Sequence, residues 1–177
     1  MGDFLELAAR RQSCRSFSGA KTDRDKLTKC VEAARLAPSG CNGQPWSFVV
    51  VDDPDKVAEV GKCGRAFGSN AFTEKAGAFI VVLEEYAELK PALREVLDSQ
   101  FFAKGDIGGA VLSICLEAAD LGLGTCIIGL FNREKIAELL GLPREQRIGA
   151  LISVGCPSDG TIRPKVRKPL EEIVRYV

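Results

Sequence analysis

Residues 106–121 restrict the fold of this chain more than any other segment does. They have helical character, and the only side chains there that are more polar than cysteine are Asp106, Ser113, Glu117 and Asp120. A helix this apolar must be covered on most of its sides. We expect it to be either the central core helix or part of a subunit interface, because an exposed apolar patch of that size is unusual in a monomer.

Helical and strand patterns alternate along the rest of the chain, which favours one fold that contains both. Helices are predicted at residues 3–10, from a capping-box-like start at Thr22 and Asp25 up to Pro38, from about Pro54, at 91–103 and at 132–140. Strands are predicted at 46–51, 78–83, 125–130 and 148–154. Residues 11–17 lose the helical period and should be extended, and a short helical segment should follow Pro169.

Composition narrows the class of protein. The chain has 177 residues, of which 46% are hydrophobic and 27% are charged, so we expect a single globular unit over residues 1–177. Basic and acidic residues balance at 24 each, so no overall field would draw the protein to nucleic acid or to a membrane surface. We find no secretory leader and no apolar run long enough to span a bilayer, and we expect a cytoplasmic protein.

The chain contains no histidine. This absence excludes Ser-His-Asp and Cys-His nucleophiles, histidine-ligated zinc and imidazole acid/base catalysis. The seven cysteines form no C-x-x-C pair and are interpreted as reduced thiols that are mostly buried, so we predict no metal site. A thiol redox module that uses Cys41 and Cys126 is a minor alternative.

Two basic strips lie near the two ends of the sequence. In each strip the polar side chains alternate, so an extended backbone places them on one face. The strips are Arg11, Ser13 and Arg15, and Arg163, Lys165 and Arg167. Each strip alone is typical of a solvated edge, but together they would suit a phosphate monoester, which offers three acceptor oxygens. No P-loop and no Rossmann glycine motif is present to hold a phosphate by backbone groups.

Two further segments carry unusual residue patterns. Residues 38–46 form a polar turn between a helix and a strand, and a plain connection does not require Asn42, Gln44 and Trp46 together. Residues 122–129 form a nearly continuous apolar run between glycines. This pattern fits a core strand with a tight entry as well as it fits a functional segment.

In their order along the chain, the first strip, the turn, the glycine-bracketed run and the second strip resemble the FMN-dependent nitroreductase family, over nearly the whole chain. The resemblance implies an α+β fold with a central mixed β-sheet flanked by helices. It also implies an intertwined homodimer with two FMN sites at the interface.

The resemblance also assigns site residues. Arg11, Ser13, Lys165 and Arg167 would bind the FMN phosphate, with Gln12 near the same end of the cofactor. Arg15 would approach the N1/O2 edge of the isoalloxazine, and backbone N–H groups around Ile128 and Gly129 would face N5. The remaining expected contacts are Asn70 and, from the other subunit, Pro38, Ser39, Gly40 and Asn42.

The activity that the resemblance implies is an NAD(P)H oxidoreductase. NADH or NADPH would reduce FMN, and a nitroaromatic, quinone or similar electron-poor acceptor would then take the electrons in a ping-pong cycle. No catalytic side chain is expected, because the flavin carries the chemistry. The alternatives are a non-catalytic flavin-binding or sensor protein and a specialised flavin enzyme, such as a flavin reductase or a reductive dehalogenase.

Overall fold

The computed structural model describes residues 3–65, 68–94 and 98–177. The helices are α1 (Phe4–Arg10), α2 (Arg24–Arg35), α3 (Pro54–Gly64), α4 (Pro91–Arg94), α5 (Ser99–Asp120) and α6 (Arg133–Leu139). The strands are β1 (Trp46–Val51), β2 (Ala78–Glu84), β3 (Gly124–Ile128) and β4 (Arg147–Gly155). Short 3₁₀ turns lie at Gly40–Asn42, Ala71–Lys75 and Leu170–Glu172.

Most of the helices begin at an acidic or amide side chain that accepts a hydrogen bond from the first turn. At α2, for example, Asp23 accepts from the backbone N–H of Asp25 at 2.9 Å. At α6, Asn132 accepts from the backbone N–H of Lys135 at 3.0 Å. Such caps satisfy N–H groups that have no partner inside the helix. The predicted start of α2 at Thr22 is therefore wrong by one residue, because Asp23 is the cap.

The four strands form one sheet in the order β1-β2-β4-β3, and every neighbouring pair runs antiparallel. Within the described part of the chain, parallel pairing is limited to a bridge between Ser13 and Thr125. This bridge places the extended segment after α1 along the outer edge of β3. The α+β fold expected from the sequence is confirmed.

Helices cover both faces of the sheet. On one face, Ile80 and Ile152 pack with Leu27 of α2 and Ile114 of α5. On the other face, Phe79 and Leu151 pack with Val60 of α3 and Ile136 of α6. Alternate residues of β2 and β4 therefore enter opposite cores, as strand geometry requires.

The predicted boundary between the helices at 91–103 and 106–121 is wrong. Helix α5 runs without interruption from Ser99 to Asp120, and Gly105 lies inside it. Helix α4 covers only Pro91–Arg94, and residues 95–97 lie outside the described residues. The glycine does not end the helix because the apolar face of the following turns packs against α2 and the sheet.

One side of α5 stays uncovered within this chain. Phe101 is 73% exposed and Leu112 is 51% exposed, and a Cβ built on Gly105 or Gly108 would meet no atom within 4 Å. The helix is thus both a core helix and the carrier of an exposed apolar stripe. No helix in the described ranges is long and apolar enough to cross a membrane.

The chain ends in an extended tail. The helical segment expected after Pro169 is limited to the 3₁₀ turn Leu170–Glu172. Apolar side chains of this tail are exposed, with Leu170 at 62% and Ile173 at 63%. The helical spacing of its apolar residues therefore does not lead to a helix, because none of the described residues packs over Leu170 and Ile173 to cover them.

Candidate functional site

The two ends of the sequence meet in the folded chain. Gln12 donates from Nε2 to the carbonyl oxygen of Thr161 at 2.7 Å, and its Oε1 accepts from the backbone N–H and from Nε of Arg163 at 3.2 and 3.1 Å. Arg163 also donates to the carbonyl oxygen of Ser13 at 2.5 Å, and the ammonium of Lys165 donates to the carbonyl oxygen of Arg11. These bonds join two segments that are about 150 positions apart.

A pocket of about 310 Å³ opens between these two segments. Both basic strips line it, together with Gln12, Pro164 and Val166. Among the described residues, no carboxylate lines this pocket. The pocket therefore concentrates positive charge and hydroxyl or amide donors on one small volume, which suits an anion with several acceptor oxygens.

The charge in this pocket shifts the pKa of one of its groups. The pKa of Lys165 is lowered by partial burial and by the neighbouring guanidinium groups of Arg11, Arg167 and Arg163. Burial and like charge both disfavour the protonated amine. An anion in the pocket would relieve the repulsion, so the cations are arranged to gain from binding one.

The pocket lies at the beginning of β3, the edge strand. Ser13 bridges Thr125, and Cys14 donates its backbone N–H to the carbonyl oxygen of Thr125 at 2.7 Å. Gly124 allows this close approach, because a Cβ there would lie 2.7 Å from both Cβ and Sγ of Cys14. The glycine that begins the strand thus lets the first basic strip reach the sheet edge.

The opposite end of β3 carries Ile128 and Gly129, which are expected to face the flavin ring, and Asn70 lies close to it. Ile128 is buried, Gly129 is exposed, and Ile127 presents a 48% exposed apolar side chain. Asn70 is held in the left-handed conformation and donates from Nδ2 to the carbonyl oxygens of Leu130 and Gly64 at 3.1 and 3.3 Å. Asn70 therefore fixes the chain just after β3, and its contact with a flavin stays a prediction.

Arg15 lies between these two ends. Its side chain is exposed and lines the basic pocket. The parallel bridge between Ser13 and Thr125 places Arg15, two residues further on, beside β3. Burial raises the pKa of the Cys126 thiol, and the guanidinium of Arg15 opposes that rise.

The turn of residues 38–44 does not reach the basic pocket of its own chain. Gly40 donates its backbone N–H to the carboxylate of Asp106 on α5 at 3.0 Å. The basic pocket lies near the far end of α5, where Arg10 pairs with Asp120. The helix between Asp106 and Asp120 spans about 20 Å. Pro38, Ser39, Gly40 and Asn42 are thus separated from Arg11 and Lys165 within one chain.

This turn holds an unusual backbone. Cys41, Asn42 and Gln44 all have φ between 45 and 57°. Non-glycine residues rarely adopt this left-handed region, and such strain persists where the surroundings enforce it, often at functional sites. Ser39 contributes by accepting the backbone N–H of Gln44 on its hydroxyl oxygen at 3.0 Å.

Sequence reasoning missed the parts played by two residues. Arg163 belongs to the second strip, but its guanidinium holds the chain ends together. In the sequence Asp106 stands out only as a polar residue in an apolar helix, whereas in the structure its carboxylate anchors the turn. A partly buried carboxylate in such a helix is the signal that could have found it, because buried charge is normally paired or hydrogen-bonded.

The geometry can be compared with that of known proteins. A sequence profile described as the nitroreductase family matches residues 8–63 and 58–156. A protein of Archaeoglobus fulgidus named NADH dehydrogenase/NAD(P)H nitroreductase is 31% identical over 163 residues, which cover 90% of this chain and 88% of that protein.

Solved structures have the same fold. A nitroreductase family protein from Streptococcus pneumoniae superposes with a TM-score of 0.84 at 26% identity, covering 99% of this chain and 100% of the other. An FMN-dependent nitroreductase from Clostridium difficile superposes with a TM-score of 0.75 at 25% identity, with 98% of each chain covered. With most of its length matched in sequence and nearly all of it in structure, this chain belongs to the nitroreductase family.

Proposed function

We propose that the protein is an FMN-dependent NAD(P)H oxidoreductase. The observation that carries the proposal is the basic pocket formed where the two chain ends meet at the start of β3. The names of the similar proteins support both halves of it, since one is an NAD(P)H nitroreductase and another is FMN-dependent.

The donors of the basic pocket fit the phosphate of FMN. A phosphate monoester brings nearly two negative charges and three acceptor oxygens. Arg11, Ser13, Lys165 and Arg167 would donate to those oxygens, while Gln12 and Arg163 hold the two segments at the required separation. No carboxylate among the described lining residues competes for these cations.

The edge of β3 gives the direction of the rest of the cofactor. From Thr125 to Gly129 the strand advances about 13 Å, which is comparable with the length of an extended FMN. The exposed side chain of Ile127 offers apolar surface for a ring to cover. The backbone N–H groups near Ile128 and Gly129 would then face N5, and Arg15 would stand beside the N1/O2 edge.

A homodimer completes the proposed site. The turn of residues 38–44 is too far from the basic pocket of its own chain, so Pro38, Ser39, Gly40 and Asn42 would reach the flavin of the other subunit. The exposed stripe on α5 and the exposed apolar tail supply the surfaces that two subunits would bury against each other. Each flavin would thus be bound by both subunits.

FMN supplies the redox chemistry when bound, taking electrons from NADH or NADPH and passing them to an electron-poor acceptor such as a nitroaromatic or a quinone. The protein's own contribution is binding, orientation and charge. Arg15 would stabilise negative charge at the N1/O2 edge. The buried side of β3 keeps one face of the site closed to water, and the open face receives donor and acceptor in turn.

The absorption spectrum of the purified protein, before and after addition of NADH or NADPH, tests this proposal. We expect a flavin spectrum that bleaches with either donor and recovers with a quinone. A colourless protein that also binds no added FMN would refute it. Bound FMN that is reduced too slowly for turnover would favour the sensor alternative. Electron transfer confined to free flavin or to a halogenated substrate would instead favour a flavin reductase or a dehalogenase.

Arg15→Ala tests the placement of the ring. Without the guanidinium we expect a lower flavin reduction potential and slower reduction by NADH, while the FMN phosphate stays bound. Potentiometric titration of the wild type and the variant measures this, and an unchanged potential would contradict the assignment to the N1/O2 edge.

A further inference from the structure

A second cationic groove lies at the opposite end of β3 from the basic pocket. Its volume is about 580 Å³, and it runs between the end of α3 and the start of α6. We call it the α3–α6 groove. Of the described residues that line it, the cations are Lys62, Arg65, Arg133 and Lys135, and the one carboxylate is that of Glu134.

Two of the cations of this groove, Arg133 and Arg65, are fixed by contacts with neighbouring side chains. The guanidinium of Arg133 lies 4.4 Å from the ring centroid of Phe131, which is itself buried. Arg65 donates to Glu74 at 2.8 Å and remains half exposed. When an arginine lies over an aromatic ring, its N–H groups point outward in the plane of the guanidinium, where they can still donate to a phosphate.

The floor of the groove is tied to the strand end proposed to face N5. Asn132 donates its backbone N–H to the carbonyl oxygen of Cys63 at 3.0 Å, and Asn70 links Gly64 to Leu130. Arg133 follows Gly129 by four residues, so their Cα atoms lie no more than about 14 Å apart.

The neighbouring depression does not have the same charge excess. Arg133 lines both this depression and the α3–α6 groove. The other cations of the depression are accompanied by as many carboxylates: the cations are Lys104, Arg144 and Arg147, and the carboxylates are Glu84, Glu134 and Glu145. Glu84 and Arg147 form an ion pair at 3.3 Å. The positive excess is therefore concentrated in the α3–α6 groove.

We propose that the α3–α6 groove binds the phosphate groups of the reduced pyridine dinucleotide while its nicotinamide lies against the flavin. The inference rests on the proposed function and adds to it the surface that recognises the donor. The basic pocket at the other end of β3 is assigned to FMN, so a second polyanionic ligand at the same strand needs its own cations. The Cα atom of Arg133 lies within about 14 Å of that of Gly129, which is proposed to face N5. The phosphates of a dinucleotide whose nicotinamide lies at N5 can reach this end of the groove.

The test compares three hydride donors on the FMN-loaded protein in stopped-flow reduction. NADPH carries a 2′-phosphate and two bridging phosphates, NADH carries the bridging phosphates, and 1-benzyl-1,4-dihydronicotinamide carries none. In the double variant Lys62→Glu/Lys135→Glu, we expect the apparent Kd for NADPH to rise about tenfold or more, because charge-assisted contacts are lost. The limiting reduction rate at saturation should stay unchanged.

The benzyl donor should be unaffected by the substitutions. An increase for NADPH alone assigns the groove to the 2′-phosphate, and an increase for both dinucleotides assigns it to the bridging phosphates. Lys29→Glu reverses one charge, as each of the two groove substitutions does, at an exposed position of α2 on the other face of the sheet, and should change none of the three.

Equal changes for all three donors, or an unchanged Kd for both dinucleotides, would overturn the inference and leave the proposed function standing. Failure of every donor to reduce the wild-type protein would refute both. FMN content and thermal unfolding of each variant, matched to the wild type, confirm that the comparison is made on folded, loaded protein. Arg133→Ala provides a second variant and should raise the same dinucleotide Kd values.

Discussion

Arg167→Ala is the sharpest test of the basic pocket. Arg167 is exposed, and the hydrogen bond that its guanidinium makes goes to the carbonyl oxygen of its neighbour Val166 at 2.6 Å. The substitution therefore removes a donor from the pocket without opening a core cavity. We expect the fold to be preserved and the binding of FMN to weaken.

The size of the effect follows from the kind of bond that is lost. A hydrogen bond to a charged group contributes about 1.5–3 kcal/mol, which corresponds to a roughly 10- to 150-fold increase in Kd. Titration of flavin-free protein with FMN, followed by quenching of flavin fluorescence, measures this change. Riboflavin has the same ring but no phosphate, so its Kd should be the same in the wild type and the variant.

Lys168→Ala is the matched control, because Lys168 is the next residue in the chain, is also exposed and does not line the pocket. It should change the Kd for FMN only slightly. An unchanged FMN affinity in Arg167→Ala would refute the phosphate assignment. An equal loss of FMN and riboflavin affinity would show that Arg167 acts on the ring or on the fold instead.

Three further predictions concern the same region and the core beneath it. In the folded protein the pKa of Lys165 lies below its ordinary value of 10.5. At pH values between the lowered pKa and 10.5, the unfolded chain therefore binds more protons than the folded chain does. In urea unfolding of the flavin-free protein, the wild type should therefore gain stability relative to Lys165→Met as the pH rises from about 7 to about 10, and a flat or falling difference would contradict this. Gly124→Ala should destabilise the protein by about 1–3 kcal/mol, since its Cβ would lie 2.7 Å from Cys14, whereas Gly160→Ala has open space around it. Equal urea midpoints for the two alanine variants would refute this account of Gly124. Burial, aided by Glu117 and Cys115, raises the pKa of Cys30 to about 12, so mass spectrometry should find it unalkylated in the native protein at about pH 8 and alkylated in urea. Rapid native labelling of Cys30 would contradict its burial.

Local structure was predictable wherever one residue pattern had a single satisfactory outcome. Strand β1 has the predicted bounds, because a run of β-branched and aromatic residues ends sharply at Asp52 and Asp53. The continuity of α5 through Gly105 was not predictable in this way. Glycine weakens a helix by only about 1 kcal/mol, and packing of the adjacent turns against the sheet outweighs that cost.

The basic strips show the same limit at the site. Alternation predicted that Arg11, Ser13 and Arg15 share a face, and they line one pocket. It did not indicate that Arg163 would hold the chain ends together, because hydrogen bonds to Gln12 and Ser13 depend on the path of the whole chain.

The sequence by itself determined the type of most elements, the absence of imidazole chemistry and the set of cations available for a phosphate. Tertiary structure alone decided that the two ends meet beside β3, that the turn of residues 38–44 lies about 20 Å away along α5, and that residues 62–65 meet 131–135 in a groove. The physical reason is that periodicity acts over a few residues. Contacts between distant segments are fixed only when the sheet and its two helical layers have packed.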